Sequence, residues 1–330
     1  MKRRVKHILI WAGITLTLLA GAVFLFFNLP YTPGNHPVIF GVTFTPSYAR
    51  YLGLDWKKNY TDILDDLGVR RFRLSAFWNE VEPQKNSYQF DDMDYQINEA
   101  DKRGAKAILA VGRKLPRWPE CHDPAWVKGL SKKDLETELL KYVKTTVERY
   151  KNSPVVEEWQ IENEPFFSFG MCDNDLGVDT LKKEIDLVKS LDTRPVVITD
   201  SGEWSSWVSA AKQADILGIS MYRESWSNWF GRIYFPIGPG YYIGKASLIS
   251  RYQKRIFISE LQVEPWAPKA LDAMTVDQMR VSMPVSKMQS NIQFARNVGF
   301  DEAYLWGVEW WYFMKQHGDD SYWNEGRKLY

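Results

Sequence analysis

The chain reads as an α/β protein, a parallel sheet wrapped by helices, preceded by an apolar helix long enough to cross a bilayer. Three observations point there. Short apolar runs alternate with amphipathic helical patterns along most of the 330 residues, as strands joined by helical crossovers require. Gly68, Gly104 and Gly299 stand just past three of the helical patterns, where a C-terminal cap favours a residue free to turn left-handed. Residues 8–27 form a run of twenty without a charge, behind Lys2, Arg3, Arg4 and Lys6.

The N-terminal run comes first. Ala20, Gly21 and Ala22 look like the cleavage site of a secretory leader, but Val23, Phe24 and the residues to Phe27 carry the apolar stretch past it. The segment therefore reads as an uncleaved signal anchor over residues 1–29, its basic flank in the cytoplasm and the rest exported to the cell surface or periplasm. Residues 30–37, with Pro30, Pro33, Gly34 and Pro37, form a short stiff tether. Residues 38–330 have room for one large domain with loop insertions and not for a second. Residues 30–330 carry 38 basic against 41 acidic side chains, so they lack the positive excess that a nucleic-acid binder shows.

Strands are expected at 38–43, 71–75, 106–111, 157–161, 195–199, 216–220, 256–259 and 302–306. Helices are clearest at 56–67, 92–103, 133–150, 178–191 and 286–298. The fourth apolar run passes through Trp159, Gln160 and Ile161 into Glu162, Asn163, Glu164 and Pro165. Proline denies a backbone donor and keeps the residue before it out of a helix, so an amide and a carboxyl are left at a strand end. The seventh run ends in Ser259 and Glu260. Two carboxylates offered by two strand ends of one sheet can divide the acid and nucleophile roles across a glycosidic bond. Taken singly, each reads equally as a salt-bridge partner or a helix cap.

Asn163, Glu164 and Pro165, followed 96 residues later by Glu260, resemble clan A of the retaining glycoside hydrolases, nearest its cellulase-like and xylanase-like families, over roughly residues 38–315. The resemblance implies a (β/α)8 TIM barrel with the eight runs as its strands and the chemistry at their C-terminal ends. It implies Glu164 as acid/base, Asn163 on the sugar 2-hydroxyl and Glu260 as nucleophile. The substrate would be a β-linked oligo- or polysaccharide, with no metal or organic cofactor. Arg73 would lie beside the nucleophile and hold it ionised, or else fill a polar layer of the barrel; Arg71 shares its face. Trp78 belongs to a series running through Glu82, Pro83, Tyr88 and Phe90 that clan members often carry. Trp118, after Pro116 and Arg117, would line a sugar subsite, Tyr222 would hydrogen-bond the nucleophile or simply be packed, and Trp306 would floor the subsite of the attacked sugar.

Other residues near expected strand ends leave alternatives open. Glu203, Trp204 and Trp207 follow the fifth strand, and Glu309, Trp310 and Trp311 the eighth. Trp226, Trp229, Tyr234, Tyr241 and Tyr242, after the sixth, would wall the cleft, pack on the rim or touch a membrane. Glu162 stands where relatives often have an aromatic residue; it faces away, pairs with a base or alters the proton chemistry. Glu264 lies beyond the seventh strand and is the poorer nucleophile. Cys121 and Cys172 each follow a strand end and are read as a disulfide across neighbouring loops, as two free thiols, or, with His122, as a metal site. Two rival functions use the same barrel: a non-catalytic carbohydrate-binding scaffold of the cell envelope, and a transglycosylase acting on envelope glycans.

Overall fold

In the computed structural model of the protein the described residues are 2–28, 37–173, 176–227, 229, 231–253, 255–266 and 271–330. The first element is the helix Lys2–Asn28, whose segment Arg4–Phe26 is long and apolar enough to cross a membrane and is exposed throughout. The expected tether lies outside the described residues apart from Pro37.

Among the described residues ten strands come after it: β1 (Ile39–Thr43), β2 (Arg71–Ser75), β3 (Lys106–Val111), β4 (Val156–Ile161), β5 (Val196–Asp200), β6 (Ile216–Met221), β7 (Glu224–Ser227), β8 (Gly231–Tyr234), β9 (Ile256–Gln262) and β10 (Glu302–Trp306). Eight of them pair in parallel in the order β1, β2, β3, β4, β5, β6, β9, β10 and close back onto β1. The near-continuous apolar runs of the sequence are what such strands need, since both faces of a parallel sheet are covered. The remaining two, β7 and β8, make an antiparallel hairpin inserted after β6, an element the alternation did not predict. A short polar-flanked insertion carries little periodic signal of its own.

Three layers fill the barrel. At the N-terminal ends, Arg255 bridges Glu158 and Glu302, and Arg71 pairs with Glu157. Arg71 therefore belongs to the floor, remote from the strand ends where chemistry is expected. The middle layer is apolar, made by Ile108, Val197, Ile216, Phe257 and Tyr304. Gly41 makes room for it, since a Cβ there would lie 2.6 Å from the Tyr304 ring. The top layer is polar and forms the candidate site. Outside, Trp56–Asp65, Asp91–Lys102, Lys132–Tyr150, Val178–Leu191 and Val285–Val298 lay their apolar faces on the strands.

One strand differs from expectation in a way that matters. β9 continues to Gln262, so Glu260 lies inside the strand rather than just behind it. Against β6, Ile219 pairs with Ile258 and the next residue, Ser220, with Glu260; against β10, Ala303 pairs with Ile258 and Leu305 with Leu261. One extra residue of β9 is taken up at this step on both sides. A bulge of this kind re-aims the side chain beside it.

Candidate active site

Five strands, β2, β4, β5, β6 and β9, supply the polar layer. Arg73, fully buried on β2, donates from Nε to Gln160 Oε1 on β4 at 2.7 Å, from Nη1 to Glu260 Oε1 at 2.8 Å, and from Nη2 to Asn163 Oδ1 at 2.8 Å. A planar guanidinium with a fork of donors can hold three groups at fixed angles, which a lysine could not. The other oxygen of Glu260, Oε2, accepts from the Tyr222 hydroxyl at 2.9 Å. Glu260 is thus gripped from β2 and from the end of β6.

Glu164 is held differently. Its Oε1 accepts from the Ser220 hydroxyl at 2.6 Å, and its backbone N–H donates to Thr199 Oγ1 at 2.9 Å. Thr199 in turn donates to Asn163 Oδ1 at 3.0 Å. Ser220 and Tyr222 are two apart at the end of β6, so one side of this strand end reaches Glu164 and Glu260 in turn. Pro165 keeps Glu164 out of a right-handed helix, and the residue takes φ 45°, a strained value for a side chain with a Cβ. No cation pairs with the Glu164 carboxyl among the described residues. Burial first, and then the charge of Glu260, push its pKa up to about 8, against the pull of Ser220.

The loop after β3 closes one side. Cys121 and Cys172 are joined by a disulfide, which ties this loop to the one after β4. The loop doubles back on itself, Leu115 N–H donating to the carbonyl of Glu120 and His122 N–H to that of Arg113. Trp118, at its tip, is 63% exposed and meets Phe169 edge to face, so it offers an open aromatic surface. Glu120 turns inward and accepts from Asn163 Nδ2 at 3.1 Å. Burial, then the charges of Glu260 and Glu164, hold its pKa well above the usual carboxylate range. Arg117 lies between the rings of Tyr48 and Trp306, 3.6 and 4.0 Å from their centroids, and pairs with Glu264 at 2.7 Å and Glu309 at 3.2 Å. One face of Trp306 is therefore covered by a guanidinium.

Arg73, Asn163, Glu164, Tyr222 and Glu260 accordingly come together, with Trp306 and Trp118 at the rim. Trp78 does not join them. It is fully buried, donates from Nε1 to Glu82 Oε2 at 2.9 Å and stacks on Tyr142, because the loop after β2 folds at once into the short helix Trp78–Val81. Glu162 faces away from Glu164 and accepts from the backbone N–H groups of Arg113 and Lys114. Glu203, half-buried, accepts from Tyr222 N–H and from the Tyr242 hydroxyl. Trp207, Tyr242, Trp310 and Trp311 are core side chains, whereas Trp204, Tyr234 and, at the tip of the β7–β8 hairpin, Trp229 are exposed. Trp226 sits on β7, and Tyr241 donates to the carbonyl of Glu203.

Sequence reasoning missed Ser220, Thr199, Gln160, Arg117 and Glu120 as parts of this network. Ser220 had one usable signal, its place two residues before Tyr222 on an expected strand. Glu120 had none, because a left-handed turn at φ 75° is what aims it inward.

A family model described as Cellulase (glycosyl hydrolase family 5) matches residues 35–219, more than half of the chain; β9 and Glu260 lie beyond the matched stretch. Among curated proteins the chain is 31% identical over 121 residues to the Probable mannan endo-1,4-beta-mannosidase A of Aspergillus clavatus, covering 33% of this chain and 32% of that protein. It is 25% identical over 172 residues to the Beta-galactosidase BgaA of Clostridium cellulovorans, covering 46% of this chain and 26% of that one. The chain thus spans a third or less of the length of these relatives. Among solved structures, the GH10 protein of Paenibacillus barcinonensis superposes with a TM-score of 0.55 at 16% identity, over 85% of this chain and 87% of that one. The GH5_18 protein of Streptomyces cattleya does so with a TM-score of 0.56 at 12% identity, over 83% and 71%. At these identities the likeness speaks for the barrel alone. The family match carries more, and with it this chain belongs to glycosyl hydrolase family 5, the cellulase family.

Proposed function

We propose that the protein hydrolyses a β-linked glycan by double displacement, with Glu260 as nucleophile and Glu164 as acid/base. The observation that carries this reading is the contrast between the two carboxyls. Glu260 is ion-paired to Arg73 and hydrogen-bonded by Tyr222, whereas Glu164 has a hydroxyl partner and a pKa pushed up to about 8. Two carboxyls with opposed environments divide into a nucleophile and an acid.

The steps come from that contrast. Glu260 attacks the anomeric carbon while Glu164 gives its proton to the departing oxygen. In the resulting glycosyl ester Glu260 has lost its charge, and with it the largest of the charge effects that raised the Glu164 pKa. Glu164 then accepts a proton from water, whose oxygen releases the sugar and restores the Glu260 carboxylate. Asn163, oriented by Arg73 and Thr199, lies against the C2 substituent of the attacked ring, and Trp118 stacks on a more distant sugar unit. The apolar helix Lys2–Asn28 anchors the domain to a membrane, with the barrel on the extracytoplasmic side.

The test is covalent labelling of the full-length protein in detergent with a panel of 2-fluoro β-glycosides, read by intact mass and peptide mapping. A label on Glu260, absent from Glu260→Gln, names the nucleophile and the sugar class together. A folded protein that takes no label from any member of the panel, and releases no sugar from β-glycans, overturns the reading.

A further inference from the structure

Around the catalytic pair the carboxyls outnumber the cations that answer them. Glu260 has Arg73, and Glu264 with Glu309 shares Arg117. Lys114 directs its Nζ to the backbone carbonyls of Glu164 and Phe167. Glu120 has no such partner. Among the described residues its carboxyl takes one hydrogen bond, from the Asn163 amide, and no ion pair, although it is only 7% exposed. The charges of Glu260 and Glu164 bear on it, and the more weakly felt charge of Lys114, which makes no ion pair with it, opposes them.

The fold goes out of its way to keep Glu120 there. The residue is held at φ 75°, its N–H donates to the carbonyl of Arg117, and its own carbonyl accepts from Leu115 N–H. Its neighbour Cys121 is locked by the disulfide. From the other side Gly170 leaves the necessary space, since a Cβ at that position would fall 2.5 Å from the Glu120 Cβ. A buried carboxyl next to two others, unanswered and in a strained turn, is costly in the free protein. Such a cost persists where a ligand repays it.

We infer that Glu120 is a specificity-determining residue that receives the ammonium group of a 2-amino-2-deoxy sugar, so that the attacked ring is a free, non-acetylated hexosamine. This rests on the proposed hydrolase reading, in which Asn163 lies against C2. Asn163 has its Oδ1 occupied by Arg73 and Thr199 and one Nδ2–H directed at Glu120, so the carboxyl it orients stands at the same carbon. A hydroxyl at C2 would satisfy a hydrogen bond with Glu120 and leave its carboxyl protonated. An ammonium supplies the hydrogen bond and a counter-charge, letting Glu120 ionise beside Glu260 and release its proton to solvent. An N-acetyl group carries no charge and is longer, so it gains nothing from Glu120.

The experiment uses full-length protein in detergent with β-linked tetramers of glucosamine and of galactosamine, each beside its N-acetyl and 2-hydroxyl counterpart. The wild type is expected to prefer the free amine by about tenfold or more in kcat/KM over the matched 2-hydroxyl glycan. In Glu120→Gln the ratio of amine to hydroxyl falls about tenfold or more, to about one, as the ion pair with the amine is lost. Glu120→Asp retains part of the preference. In parallel, calorimetric titration of Glu260→Gln with the same tetramers reads selection without turnover, and adding Glu120→Gln abolishes the tighter binding of the amine. Equal amine-to-hydroxyl ratios in wild type and Glu120→Gln overturn the inference, as do equal affinities in the two inactive proteins. If neutral β-glycosides are turned over and Glu260 is labelled without amine preference, the inference fails while the hydrolase reading stands. If nothing labels Glu260, the hydrolase reading fails, and the titrations still decide what Glu120 recognises.

Discussion

The two ends of the barrel are made from the same strands and nearly the same residue types, yet they treat charge in opposite ways. β2 places Arg71 at the floor and Arg73 at the mouth; β4 has Glu158 low, and the turn after it has Glu164 high; β9 starts just after Arg255 and carries Glu260. At the floor Glu157, Glu158 and Glu302 each have a guanidinium partner, and the arginines stay 35% to 45% exposed. At the mouth Arg73 is wholly buried, and Glu164 and Glu120 have only a hydroxyl and an amide. The floor buries Glu158 and Glu302 as well, but answers both with Arg255, whose guanidinium keeps one side in water. The mouth keeps unanswered carboxyls out of water, which destabilises the free protein and tunes proton affinity, the usual mark of a site built for a ligand.

The sharpest way to break this comparison is to remove a carboxylate at the mouth. Glu260→Gln should lower kcat on any accepted β-glycoside by about ten-thousandfold or more, as expected when an obligatory nucleophile is lost. Its melting temperature should fall less than that of Arg73→Met, because Glu164 or Glu120 can then ionise and answer the Arg73 left behind. A loss as large as that of Arg73→Met would mean that Glu260 serves the fold.

The arginines give the next contrast. Arg73→Met strips a fully buried guanidinium from Glu260, Asn163 and Gln160 and should cost about 3–5 kcal/mol in denaturant unfolding. Arg255→Met leaves the buried Glu158 and Glu302 without their partner but removes a half-exposed guanidinium, and should cost less, about 1–3 kcal/mol. Equal costs would erase the distinction between the two ends. Between these lies the disulfide: Cys121→Ser with Cys172→Ser opens a loop of 51 residues and should cost about 2–4 kcal/mol, with turnover falling as Glu120 and Trp118 lose their support.

Protonation sharpens the comparison further. Glu164, with a pKa of about 8, and Glu203 and Glu309, with pKa values of about 7, bind protons in the folded state that the unfolded chain releases above about 4.5. Their contribution to stability is full below that value and is lost as pH rises through 7 to 8, so the melting temperature should be higher at pH 5.5 than at pH 8.5. Catalysis should share the upper limb, with kcat/KM falling above about pH 8 as free Glu164 loses its proton, and with that limb missing in Glu164→Ala. The smallest effect is expected at the rim. Trp118→Ala removes an exposed ring and should raise KM by about threefold to tenfold with little change in kcat or melting temperature.

Much of the barrel could be read from the chain because its strands are local objects. The runs at 71–75, 106–111 and 302–306 appear as strands residue for residue, since a parallel strand covered on both faces needs an unbroken apolar stretch. Asn163 with Glu164 before Pro165, and Glu260 at the end of an apolar run, were legible for the same reason. Trp78 was misread, because nothing in its neighbours in sequence tells a cleft tryptophan from one packed against Tyr142.

By itself, then, the sequence determined the apolar N-terminal helix, the strand and helix alternation, and the two acidic strand ends. The tertiary structure alone decided that Arg73 touches residues 87, 90 and 187 positions away, that Ser220 serves Glu164, and that Arg117 covers Trp306. It also decided that a one-residue bulge in β9 aims Glu260 and that a left-handed turn brings Glu120 beside both catalytic candidates. The physical reason is range: hydrophobic periodicity and proline act over a few neighbouring residues, whereas charge pairing in a closed barrel depends on which strands meet, and that is fixed only when the sheet closes.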